Sequence, residues 1–196
     1  SVVLKARQLA AGPQEPFAPA PIEEVIAAIR QHRPDLVFAP HVETSSGMIL
    51  PDDYLRAVAD AVHEVGWLFV LDCIASGTID MQACGIDVLI SAPQKGWTSW
   101  PGAAMVMMSA TARERVNATT STSFAADLKK WLQMIEAYEA GGHAYHATLP
   151  TDSLARLHEV MKETEAYGFD KVKAEQLELG RRVRALLEAR GMRSVA

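Results

Sequence analysis

Apolar positions along this chain follow two alternating rhythms. Behind Pro21, which suits the first position of a helix, Ile22, Val25, Ile26 and Ile29 recur at helical spacing. Leu36-Val37-Phe38-Ala39 is apolar throughout and stops at Pro40, which reads as a short buried strand. The helical rhythm returns over residues 52–65, with Leu55, Val58 and Val62 on one face. Asp52 and Asp53 stand at its start, where negative charge favours the helix dipole. Trp67-Leu68-Phe69-Val70-Leu71 is then apolar at every position, the mark of a strand covered on both faces of a parallel sheet. Val88-Leu89-Ile90 and the run from Ala103 to Met108 repeat that pattern.

Strands alternating with helices predict an open α/β fold: a mostly parallel sheet with crossover helices, in three layers. After Asp127 helical patterning takes over to about Arg190, broken at Gly141-Gly142, Pro150 and Gly168. This change divides the chain into residues 1–150, part of a large domain, and residues 151–196, connecting helices that lead into a smaller α+β C-terminal domain. The Ala-, Pro- and Gly-rich stretch 10–21 reads as a loop. There is no initiator Met, and the last residues leave a helix for an apolar stretch that stops, so the chain reads as a piece of a longer protein.

Composition narrows the functional classes. Charged residues make up 22% of the chain and the net charge is −5, which gives no basic footprint for nucleic acid or an anionic membrane. No apolar run approaches the roughly 20 residues that span a bilayer, and the first residues do not resemble a signal peptide. Cys73 and Cys84 are the only cysteines, at no metal-like spacing, so neither a zinc site nor a disulfide scaffold is expected and a reducing cytoplasm is the default setting.

Ligands of open parallel sheets gather at the carboxyl ends of strands. Three polar groups stand just past apolar runs here: Glu43-Thr44-Ser45-Ser46-Gly47, Asp72, and Ser91-Ala92-Pro93-Gln94-Lys95-Gly96-Trp97. Each has an ordinary structural reading, as a turn, a helix cap or a solvated lysine. Their occurrence in order, each at a strand end, favours a shared crevice without naming a reaction.

The strings His41-Val42-Glu43-Thr44-Ser45-Ser46-Gly47, Leu71-Asp72-Cys73-Ile74-Ala75-Ser76-Gly77, Gly85-Ile86-Asp87-Val88-Leu89-Ile90-Ser91, Pro93-Gln94-Lys95-Gly96-Trp97 and Tyr145-His146-Ala147-Thr148-Leu149-Pro150 resemble class V aminotransferases. These are fold-type-I pyridoxal-phosphate enzymes, and the resemblance is to the alanine–glyoxylate, serine–glyoxylate and serine–pyruvate branch. It implies pyridoxal 5'-phosphate as cofactor and Lys95 as the Schiff-base lysine, which then acts as proton shuttle. It implies Asp72 as the carboxylate that pairs with the pyridine nitrogen and Thr44 as the hydroxyl that bonds the ring oxygen. Ile74 would pack on the ring face and Gln94 would contact the phosphate. Tyr145 and Thr148 match residues that reach the phosphate of a neighbouring subunit's cofactor, implying a homodimer with composite sites. The implied reaction is a ping-pong transfer of an amino group from a small amino acid (alanine or serine) to a small 2-oxo acid (glyoxylate or pyruvate).

His41 is read as a hydrogen-bonded structural imidazole, and His143, His146, Cys73 and Cys84 are given no catalytic role. The separation of Asp72 from Lys95 is shorter than the family pattern leads one to expect, with the shortening near Gly77-Thr78-Ile79. The phosphate-cradling loop, the ring-stacking aromatic and the substrate-binding arginine of the family would fall outside the sequence. Two other readings stay open: another fold-type-I enzyme, a lyase or cysteine desulfurase, and a non-catalytic α/β dimerisation domain.

Overall fold

The computed structural model describes residues 1–13 and 15–196; Gln14, inside the stretch read as a loop, lies outside the described residues. That stretch is more ordered than expected. Strands β1 (Arg7–Gln8) and β2 (Phe17–Ala18) form an antiparallel pair with Arg7 opposite Ala18. Helix α1 (Ile22–His32) follows with Val25 and Ile29 buried, as its spacing predicts.

The central sheet has four strands. Strands β3 (Leu36–Pro40), β6 (Leu68–Asp72) and β7 (Val88–Ser91) run parallel in that spatial order, and β8 (Met105–Met108) pairs antiparallel with β7 at the far side. A small hairpin, β4 (Val42–Glu43) and β5 (Met48–Ile49), sits between β3 and helix α2 (Asp52–Glu64). Leu55, Val58 and Val62 of α2 are buried against Phe69, Leu71 and Leu89, which with α1 make the apolar core on one face of the sheet. Helix α1 precedes β3 and α2 is the crossover that joins β3 to β6, and both pack on this face.

The strand reading needs correction at β8, which is antiparallel and only half-buried, and on the opposite face of the sheet. Residues paired in parallel register share a face, so Leu36, Phe38, Leu68, Val70, Val88 and Ile90 point to the same side. In β6, flanked by neighbours, Leu68 and Val70 are buried. In β3, at the edge of the sheet, Leu36 is 45% and Phe38 67% exposed, so this strand is covered on one face only.

At the amino ends of the strands one buried carboxylate ties several elements together. Asp87 accepts hydrogen bonds from the Phe69 amide at 2.9 Å, from His63 Nε2 of α2 at 2.8 Å and from the Ser109 hydroxyl at 3.1 Å. Ser109 in turn accepts from the Ala112 amide and caps α4 (Ala110–Ala118). The short helix α3 (Met81–Cys84) is capped by Asp80, whose side chain accepts from the Ala83 amide. The C-terminal part is helical, with breaks where the glycines and prolines predict them: α5 (Leu128–Glu139), α6 (Thr151–Tyr167) and α7 (Phe169–Glu188). Gly168, at φ 101°, separates the last two. Among the described residues α7 has no buried side chain, and Lys173 links it to Asp52 at the start of α2, 2.9 Å apart.

Candidate active site

Strands β3, β6 and β7 end side by side, because Pro40 is in register with Asp72 and Asp72 with Ile90. The ladder runs on past them: the His41 amide donates to Asp72 O at 2.8 Å and the Cys73 amide to Ile90 O at 2.7 Å. The three groups singled out in the sequence therefore leave the sheet at one edge.

Thr44 lies exposed in the tip of the β4–β5 hairpin. The tip is shaped by Glu43, whose carboxylate accepts from the Ser45 hydroxyl at 2.6 Å and the Ser45 amide at 2.9 Å. Those bonds, the hydroxyl's first, hold the Glu43 carboxyl below its usual range. Gly47 closes the turn at φ 78°, a left-handed conformation that favours glycine.

Asp72 is exposed at the end of β6. Its Oδ1 accepts from the Ile74 amide at 2.8 Å, and among the described residues its second oxygen has no protein partner. Ile74, half-buried, begins a turn over residues 73–77 that the Gly77 amide closes onto Cys73 O at 2.8 Å. The hydroxyl of Ser76 meets Nδ1 of His41 at 2.8 Å, and the His41 residue is only 8% exposed. Burial pushes the His41 imidazole below its ordinary value; nearby Asp52 opposes the shift and Lys173 adds to it.

Gln94 and Lys95 are exposed in the turn that follows β7, and among the described residues neither side chain has a hydrogen bond or ion pair within the protein. This turn is clamped to the previous one. Ser91, buried at the end of β7, donates its hydroxyl to Gly77 O. A Cβ at Gly96 would come within 2.6 Å of Ser76 O and 2.7 Å of Gly77 Cα and N, so only glycine lets the two backbones touch. Beyond it the Thr98 amide donates to Lys95 O and the Ser99 amide to Pro93 O, both at 2.9 Å. Trp97 is buried with its ring edge-on to Phe169 at 6.2 Å between centroids.

Sequence reasoning picked out Thr44, Asp72, Ile74, Gln94 and Lys95, and the structure brings all five to one edge. It leaves Tyr145 and Thr148 apart. Their hydroxyls lie 3.2 Å from each other in the irregular segment between α5 and α6, Tyr145 is 80% exposed, and no hydrogen bond among the described residues joins them to the Lys95 cluster. The neighbouring His146 ring is packed against Phe124 and Trp131, at 4.4 and 4.9 Å between centroids. Sequence reasoning missed Ser76, Ser91 and the Gly77–Gly96 contact. A Ser-Gly pair marks a turn, but nothing in its spacing reveals which other turn it touches.

The donor set is chemically coherent. A primary amine, a carboxylate with a free oxygen, a hydroxyl and an amide stand open at the ends of adjacent strands. Both cysteines, by contrast, are buried; burial raises the Cys84 thiol and pushes Cys73 up to about 11, so both stay protonated at neutral pH. Among the described residues no group of His, Cys, Asp and Glu could hold a metal ion.

Residues 14–196 match the family model described as Aminotransferase class-V. The chain belongs to the class V aminotransferase family. Pyridoxal phosphate is the cofactor of these aminotransferases, and the open donor set fits it. The alanine–glyoxylate aminotransferase of Felis catus is 36% identical to this chain over 143 residues, which is 70% of the chain and 34% of that protein. The L-aspartate–glyoxylate aminotransferase of Paracoccus denitrificans (strain Pd 1222) is 28% identical over 176 residues, or 89% of the chain and 43% of that protein. A crystal structure of an alanine–glyoxylate aminotransferase from Nostoc sp. superposes with a TM-score of 0.75 at 25% identity, covering 92% of this chain and 47% of that one. The class V aminotransferase chain described here thus spans between about a third and a half of the length of these relatives.

Proposed function

We propose that the protein carrying this chain is a pyridoxal-phosphate aminotransferase that moves an amino group from a small amino acid, alanine or serine, to a small 2-oxo acid, glyoxylate or pyruvate. The observation that carries the reading is the convergence of Lys95, Asp72 and Thr44 on one sheet edge in a class V aminotransferase chain. Relatives named for alanine or aspartate and glyoxylate support the substrate class.

When bound, pyridoxal phosphate supplies a carbonyl that takes up the amino group and a ring that withdraws electrons from the substrate's α-carbon. Lys95 would hold the cofactor through its primary amine and, once released, would carry a proton between the substrate's α-carbon and the cofactor's C4′ carbon, as general base and then acid. Asp72 offers its free oxygen to keep a proton on the ring nitrogen, a charge-assisted hydrogen bond. Thr44 orients the ring through its hydroxyl, Ile74 packs against the ring face and Gln94 binds the phosphate. Tyr145 and Thr148, outside the Lys95 cluster of their own chain, serve the phosphate site of a second subunit, making the protein a homodimer with composite sites. Residues 1–150 then form part of the large domain, residues 151–196 lead into the small one, and the cytoplasm is the setting. The buried, protonated cysteines weigh against the desulfurase alternative, which needs a mobile reactive thiol.

The test is optical. Full-length protein incubated with pyridoxal phosphate should turn yellow and bleach on addition of alanine or serine. Borohydride should fix the cofactor mass on the peptide that contains Lys95. A colourless Lys95→Ala variant beside a yellow parent supports the assignment, whereas label on another lysine, or a colourless parent, refutes it.

A further inference from the structure

The geometry points to His41 as a positioning residue: its imidazole clasps Ser76 and so holds the 73–77 turn as the spacer that sets Lys95 against Asp72. The inference rests on the assignment of those two residues to the cofactor site. Its physical basis is a continuous chain of contacts across three strand ends. His41 itself is fixed from both sides, since its amide donates to Asp72 O at 2.8 Å and its carbonyl accepts from the Leu50 amide at 2.9 Å. A side chain anchored in this way passes its position on to whatever it binds, and here that is the Ser76 hydroxyl at 2.8 Å. Ser76 and Gly77 then form the surface on which Gly96 closes, one residue after Lys95. The Ser91 hydroxyl, donating to Gly77 O, fastens the same turn to the end of β7.

Without the clasp, the 73–77 turn keeps its own closing bond, Gly77 amide to Cys73 O, but loses its tie to β3. Gly77 sits at φ 90°, a conformation open to glycine. The His41 imidazole is bonded to Ser76, while the His41 backbone amide continues the ladder to Asp72 O.

The experiment uses full-length protein with His41→Ala, Ser76→Ala and the double variant, read first without cofactor by amide hydrogen exchange. The two reporters are the Gly77 amide, bonded to Cys73 O, and the Thr98 amide, bonded to Lys95 O. Loss of one hydrogen bond of about 1–1.5 kcal/mol should speed exchange at both by roughly tenfold, with the Leu89 amide of β7 unchanged. The double variant should add nothing to either single one, because both remove the same bond. His41→Asn, which carries an amide at the reach of Nδ1, should restore slow exchange. In a pyridoxal phosphate titration followed by absorbance, the alanine variants should bind about tenfold more weakly. Faster exchange at Gly77 with Thr98 unmoved, or additive effects in the double variant, would overturn the clasp. Should His41→Ala fail to fold, Ser76→Ala carries the same comparison. A parent that takes up no pyridoxal phosphate refutes the cofactor assignment instead, and the exchange rates then decide the clasp alone.

Discussion

His41 gives up nearly all contact with water to reach Ser76, and burial keeps its imidazole below the ordinary value of 6.5. In the unfolded chain the ring takes a proton as the pH falls through about 6.5, while the folded chain resists it. Its contribution to stability is therefore intact above that pH and drains away as the pH drops toward the folded value. Urea unfolding at pH 7.5 and 5.5 should show a loss at the lower pH that is smaller in His41→Asn. The groups assigned to chemistry contrast with it: Thr44, Asp72, Gln94 and Lys95 are all exposed. Their place at the strand ends was legible in the sequence because each stands just past an apolar run. Ser76 was not, since the value of a serine hydroxyl in a turn depends on a histidine 35 positions away and on a pairing that periodicity does not encode.

Among the elements, α2 and β6 were the most legible, because a full helical stripe and an unbroken apolar run each fit one environment. Strand β3 was misjudged for a physical reason. Four consecutive apolar residues specify a strand but do not say whether it has neighbours on both sides, and an edge position leaves Phe38 uncovered. Helix α4 left no apolar signature and is set by the Ser109 cap, which Asp87 orients. Asp87 also receives the Phe69 amide and His63, so its removal strands a buried donor and loosens α2, β6 and α4 together. Asp87→Ala should lower the unfolding free energy by about 2–4 kcal/mol, read as a lower urea midpoint with little change in slope. A midpoint within experimental scatter of the parent would show that the network is not cooperative.

For the whole molecule, the α/β class and the mostly parallel sheet followed from the order of rhythms alone. What the order of rhythms could not convey is how one-sided the cover is. Leu36 and Phe38 lie open on one face of the sheet, and Leu177, Val183 and Leu186 lie open on α7. Exposed apolar side chains of this kind bind hydrophobic dyes. The 196-residue chain should accordingly enhance the fluorescence of anilinonaphthalene sulfonate. Phe38→Ser should reduce that signal while changing stability by no more than about 0.5 kcal/mol, since the ring is already largely in water. The antiparallel turn-back of β8 has a different kind of consequence. Ser91 and Met105 are ladder partners, so residues 92–104 leave and rejoin the sheet at adjacent points. Closing a loop of twice the length between such fixed ends costs only about 0.6 kcal/mol more. That tolerance belongs to the part of the loop beyond Ser99, because the turn that carries the lysine is pinned by Gly96 against Ser76 and Gly77 and by the Ser99 amide on Pro93 O.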